Sequence, residues 1–220
     1  MRPGSVSEEQ RLEAARRPQE ALAELGQRAL SGLPVPELMD EALAIVASTL
    51  DVEHAEVLEH LPDGESLLLR AGLGWKAGYV GHGTLSVSND SQEGFTLLSG
   101  EPVVAADTRS ESRFDGRGLW NEYGIVSSLS VVLAGDERPY GVLAAHATVS
   151  RTFGAEDVHF LQALANVLAG AISPTGATRS SPPERAPRRS RSRAITAPTS
   201  IWSSPTSSCP RWAGSSSSGG

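Results

Sequence analysis

The side chains in this sequence best suited to chemistry are five histidines, His54, His60, His82, His146 and His159. An imidazole titrates near neutral pH and can ligate a metal or haem. The five are scattered along the chain, and no two share a metal-binding spacing such as H-E-x-x-H. His146 falls in a strand-like run and His82 in a glycine-rich loop, so these two are the candidates for an axial haem nitrogen. A packed or surface histidine is the plainer account of both.

Aromatic residues are scarce, and five of the eleven fall in two irregular regions: Trp75, Tyr79 and Phe95 in one, Trp120 and Tyr123 in the other. Such rings can stack on a planar ligand, a nucleotide or an aromatic metabolite, although a tryptophan beneath a loop also serves simply to anchor it. Ser127, Ser128 and Ser130 lie on a strand-like run whose alternation puts Ser128 and Ser130 on one face. There a hydroxyl can orient a ligand or merely be tolerated as a small polar group. The glycines at Gly72, Gly74, Gly81 and Gly83 fit neither Walker A spacing nor a strand-borne G-x-G-x-x-G, and read as turns. No nucleophile, base and orienting residue share a recognisable motif, so catalysis is not expected.

Composition narrows the classes further. Of the 220 residues 39% are hydrophobic and 20% charged, which fits one core better than two. The formal charge is −7, and seven of the 19 basic residues, Arg179 through Arg211, follow Ile172 together with only Glu184 among the 26 acids. The body is therefore strongly acidic and repels nucleic-acid phosphates. The single cysteine, Cys209, stands in the tail, which rules out a disulfide, a cysteine-ligated zinc or a thiol nucleophile in the domain. No apolar run reaches the roughly 18 to 20 residues of a membrane span, and the polar N-terminus lacks a signal-type apolar stretch, so a cytoplasmic setting is expected.

The elements that must position these residues follow from periodicity. Residues 1–17 read as a flexible N-terminus. Leu22, Leu25 and Ala29 predict a helix from Pro18 to Leu30, thinly striped and suited to covering a domain or facing a partner. Leu38, Met39, Ala42, Leu43, Val46 and Leu50 predict a second helix from about Pro36. HAEVLEHL and ESLLLRAGL form a hairpin around Pro62-Asp63-Gly64. A long loop with a short strand at Gly83 to Val87 leads to a helix from Ser91 to Leu98, capped by Asp90 or Ser91 and stopped at Gly100. Then come the strand in EPVVAAD, an excursion with a short helix at Leu119 to Tyr123, a hairpin of Ile125 to Leu133 with Tyr140 to Thr148, and a helix from Ala155 to Ile172. The Ser/Arg/Pro-rich stretch 174–220 is expected to be disordered. Its composition is also that of a GC-rich gene read out of frame, a hypothesis that other frames of the coding DNA would test.

This order of elements resembles a GAF domain. LLSGEPVVAADT (Leu97 to Thr108) is similar to the family's short helix ending at Gly before a strand opening on Pro-Val. GIVSSLSVVL with RPYGVLAAHATVSRTFGAEDVHFLQALANVLAGAI is similar to its closing hairpin and long helix, and the likeness covers about Ala21 to Ile172.

The resemblance implies an α+β fold over residues 18–173: a central antiparallel sheet of five or six strands, with helices on one face and a loop-roofed pocket on the other. It implies a cytoplasmic sensory module of bacterial signal transduction that binds an unidentified small molecule through Trp75, Phe95, Trp120, Tyr123, Ser128, Ser130 and His146. The terminal helices would relay the signal to an output domain such as a histidine kinase or diguanylate cyclase, as in a truncated two-component protein, and pair two copies. Two alternatives stand beside this: a structural dimerisation module with a filled pocket, using Leu161, Ala165 and Leu168, and a haem-binding redox or gas sensor. No cofactor is required. Covalent bilin attachment and methionine sulfoxide reductase chemistry both need a thiol that the domain lacks. Neither a nucleic-acid partner nor a membrane is expected.

Overall fold

The computed structural model describes residues 8–114 and 121–173, with side chains from residue 16 onward. Trp120, the first seven residues and the stretch 174–220 lie outside the described residues, and so do the expectations attached to them.

Helix α1 spans Glu8–Leu30, starting well before Pro18. Residues 8–17 are therefore helical rather than part of a flexible N-terminus, and Pro18 sits inside the helix. The helix-forming run EEQRLEAARR carries it past the proline, which forgoes one backbone hydrogen bond there. Arg16 and Glu20, four residues apart, pair across that position at 2.8 Å. Leu25 is fully buried, with Leu22 and Ala29 packed beside it. The stripe thus lies on α2 (Val35–Leu50) and on the final helix α4 (Ala155–Ile172), as a domain-covering helix does. In α2, Leu38, Met39, Ala42, Leu43, Val46 and Leu50 are all buried.

Six strands form one antiparallel sheet in the order β3-β2-β1-β6-β5-β4. They are β1 (His54–His60), β2 (Ser66–Leu73), β3 (Thr84–Ser86), β4 (Val103–Ala105), β5 (Ser127–Leu133) and β6 (Gly141–Ala147). The β1–β2 turn is closed by Asp63, whose Oδ1 accepts from the backbone N–H groups of Glu65 and Ser66 at 2.9 and 3.0 Å. Helix α3 (Gln92–Ser99) is capped by the Ser91 hydroxyl, which accepts from the Gly94 N–H, and ends at Gly100 in the left-handed region.

Alternation divides the sheet residues between two covers. Ala55, Val57, Ala71, Leu129, Val131, Leu133, Leu143, Ala145 and Ala147 meet α2 and α4 in the main core. The opposite face lies under α3 and the loops, with one apolar patch of Leu58, Leu67, Leu69, Leu85 and Val142 and another of Val103, Ala105, Phe114 and Ile125. Between those two patches the face is polar.

Candidate functional site

The polar centre is built by β1, β5, β6 and α3. In the sheet register His54 faces His146, Glu56 faces Ala144, and Ser128 faces His146. Two-residue periodicity therefore brings His54, Glu56, Ser128, Ser130 and His146 to one face. Helix α3 lies over them because Gly94 has no side chain: a Cβ there would collide with the Ser88 carbonyl. That close seating delivers Gln92 and Glu93 to the sheet.

Glu56, Glu93 and His146 are all buried, and their ligating atoms lie within 4.8 Å of one another. His146 Nε2 is 3.4 Å from Glu56 Oε1 and 3.9 Å from Glu93 Oε1. Burial pushes the Glu56 carboxyl up to about 8. Burial, reinforced by the neighbouring Glu56, lifts Glu93 to about 7, with His146 pulling the other way. Burial also holds the His146 imidazole below its ordinary value, against the pull of Glu93. At neutral pH the His146–Glu56 contact is therefore between neutral groups and is not an ion pair. Among the described residues, Glu56 Oε2, Glu93 Oε1, His146 Nδ1 and His54 Nδ1 are buried without a hydrogen-bond partner, which is uncommon in folded proteins.

Beside this cluster the polar groups are saturated. Gln92 Nε2 donates to the Val103 carbonyl at 3.0 Å and to Ser130 Oγ at 2.8 Å. Ser128 Oγ donates to Gln92 Oε1, and Thr96 and Ser130 share a hydroxyl–hydroxyl bond of 2.7 Å.

An aromatic wall closes the other side. Gly74 has a φ of +84° and lies against the Glu53 carbonyl and the His54 ring, where any Cβ would clash. It turns the chain so that Trp75 returns over the sheet and donates from Nε1 to the Ala55 carbonyl at 3.2 Å. The Trp75 ring centre is 4.7 Å from Tyr123, 5.1 Å from His54 and 5.7 Å from His146. The loops carrying Trp75 and Tyr123 are tied outside by Lys76, whose Nζ meets Glu122 at 2.5 Å and whose N–H donates to Tyr123 Oη at 3.2 Å.

A family model described as the GAF domain matches residues 34–172, most of the chain. The chain belongs to the GAF family. GAF domains are sensory and regulatory modules that bind small molecules.

Solved structures agree on the fold. The GAF domain of a phosphoenolpyruvate-protein phosphotransferase from Coxiella burnetii superposes with a TM-score of 0.65 at 18% identity, covering 72% of this chain and 94% of that one. Free methionine-R-sulfoxide reductase from Neisseria meningitidis, in complex with its substrate, gives 0.62 at 18% identity over 78% and 94%. A phycoerythrobilin-bound GAF domain from a cyanobacterial phytochrome gives 0.59 at 16% identity over 70% and 94%. No curated protein matches.

Of the residues expected to bind a ligand in this GAF domain, Trp75, Tyr123 and His146 come together around the acidic cluster. Phe95 pairs instead with Phe114 at 5.5 Å, over the apolar patch by β4. Ser128 and Ser130 reach the right face, but their hydroxyls are bonded to Gln92 and Thr96 and anchor α3. His82 is exposed in its loop. His146 Nε2 faces the Glu56 and Glu93 carboxyl groups, and its Nδ1 has no hydrogen-bond partner among the described residues. Leu161, Ala165 and Leu168, expected at a dimer interface in the structural alternative, are fully buried in the domain's own core. The helical period that singled them out marked the inward face of α4.

Glu56, Glu93, Gln92 and Thr96 escaped the sequence reading. Alternation along HAEVLEH does place Glu56 on the face of His54, so that glutamate was open to inference. Glu93, in the first turn of α3, looks like any acid favoured by the helix dipole, and nothing local marks it.

Proposed function

We propose that this GAF domain senses a small molecule between the polar centre of the sheet and the wall of Trp75 and Tyr123. The relay would run through α4 and α1 to an output domain of the histidine kinase or diguanylate cyclase kind. The observation that carries this reading is the group of buried, unpartnered polar atoms on Glu56, Glu93, His146 and His54, placed against an aromatic wall. Unsatisfied polar groups of this sort are costly in an empty protein and are relieved by a ligand that bonds to them.

The relay has a mechanical basis. β5 carries Ser128 and Ser130 toward α3 and Leu129 and Val131 toward the helices, and α4 packs on β5. A displacement of α3 is thus felt one strand away by α4, against which α1 also lies.

Binding rather than catalysis is the reading we favour, because the Ser128 hydroxyl is directed to Gln92 and not to the imidazole of His146. Two copies would pair through the outer sides of the terminal helices, where Leu30 is exposed, and sedimentation at high concentration checks that point. The main test is a thermal-shift panel of nucleotides, amino acids and aromatic metabolites. A ligand that raises Tm in the wild type, and does so less in Trp75→Phe, supports the reading. A panel without effect at millimolar concentration counts against it.

A further inference from the structure

The buried acids and imidazole have the composition and spacing of a cation site. We propose that Glu56, Glu93 and His146 bind one divalent first-row transition-metal ion, held between β1, β6 and α3 behind Trp75. This goes beyond the small-molecule reading and does not depend on it.

Three observations converge. The first is distance: His146 Nε2 lies 3.4 Å from Glu56 Oε1 and 3.9 Å from Glu93 Oε1. These separations are long for good hydrogen bonds. Bonds of about 2.1 Å from a tetrahedral metal to nitrogen and oxygen donors put those donors about 3.4 Å apart; the His146–Glu56 pair already has that separation, and the Glu93 carboxylate, within 4.8 Å of both, has to move in.

The second is satisfaction. Glu56 Oε2, Glu93 Oε1 and His146 Nδ1 have no hydrogen-bond partner, although all three side chains are buried. A shared cation would satisfy Glu56 Oε2 or Glu93 Oε1, which no donor among the described residues reaches.

The third is charge and donor type. Two carboxylates balance a divalent cation. One imidazole with two carboxylates suits zinc, manganese or ferrous iron, and no cysteine occurs among the described residues to favour cuprous ion. Three protein donors leave a coordination position for water or a ligand atom. The sites within this cluster come from different elements: Glu56 from β1, His146 from β6 and Glu93 from α3. A bound ion would therefore also fix α3 to the sheet.

The test uses the full chain, stripped with EDTA, dialysed and titrated with Co(II) and Zn(II). One equivalent of Co(II) should bind with visible d–d bands, Zn(II) should displace it, and either ion should raise Tm. Glu56→Gln and Glu93→Gln should each weaken binding at least about 100-fold, since loss of a direct ligand exceeds the 10- to 100-fold cost of losing an outer partner. Each glutamine variant keeps the side-chain volume of a protonated acid, and circular dichroism verifies that it folds. Absence of one-to-one Co(II) binding to the wild type overturns the proposal. So does binding of undiminished strength in folded Glu56→Gln or Glu93→Gln, which would assign the ion to surface groups. A metabolite that shifts Tm in the EDTA-stripped protein while Co(II) does not bind would retain the sensory reading and reject the metal.

Discussion

The two faces of the sheet are equally buried and chemically opposite. On the helix face Leu129, Val131, Leu143, Ala145, Leu161 and Leu168 meet with no polar atom among their side chains, and stability follows from removing apolar surface from water. Across the same strands, Glu56, Glu93, His146, Gln92, Ser128 and Ser130 are just as inaccessible. There burial costs free energy, and only the Gln92–serine–threonine network offsets it with full hydrogen bonding. The contrast teaches which part was shaped to hold the fold together and which was kept at a cost to stability.

Substitutions can break or sharpen that contrast. The largest effect belongs to the helix face: Leu161→Ala should lower the unfolding free energy by about 3 kcal/mol, measured by urea denaturation, because the site is fully buried. If this change costs less than about 1 kcal/mol, the helix face is not the main core.

Next is the pH response of the acidic cluster in chelated protein. Glu56 and Glu93 have pKa values raised to about 8 and about 7, so from their unfolded values upward the folded state holds more protons than the unfolded state. Their contribution to stability is thus lost as pH rises through the folded values. His54 and His146 are lowered and act oppositely, but only below their ordinary value of 6.5. Tm should therefore fall between pH 6.5 and 8, by an amount on the order of 2 kcal/mol in stability. Glu56→Gln should flatten that slope, and a Tm profile of the variant that tracks the wild type would contradict the assignment.

Gln92→Ala should cost about 1 to 2 kcal/mol, because Ser128 loses its acceptor and the Val103 carbonyl its donor, while Ser130 keeps Thr96 alone. Hydrogen exchange should report it first in α3. The smallest change is Lys76→Ala at the loop tie, which should leave stability close to that of the wild type, since the pair with Glu122 is solvent-exposed. Its effect should appear instead in quenching of tryptophan fluorescence by iodide, if the Trp75 loop loosens.

Much of the fold was legible in the sequence because it rests on short-range rules. The stripe of α2, the Ser91 and Gly100 caps of α3 and the final helix from Ala155 all follow from spacing and local hydrogen bonding. The start of α1 was misread because Pro18 is a stronger local signal for a helix start than the ten residues before it are for a continuing helix. The candidate site was only half legible. Trp75, Tyr123 and His146 stood out by residue type, whereas Glu93 reaches their neighbourhood through an approach that depends on Gly94 and the Ser88 backbone. Serines on the correct face were found, yet whether a hydroxyl is free or already spent depends on a glutamine far away in sequence.

The alternating strand β5 has one more consequence. Adjacent residues such as Ser128 and Leu129 point to opposite covers, so the route from the polar centre to α4 crosses the sheet through a single peptide rather than running along the chain. In the proposed relay, a ligand-driven shift of α3 would reach α4 through this peptide, provided that the helix keeps its contact with Leu129 and Val131.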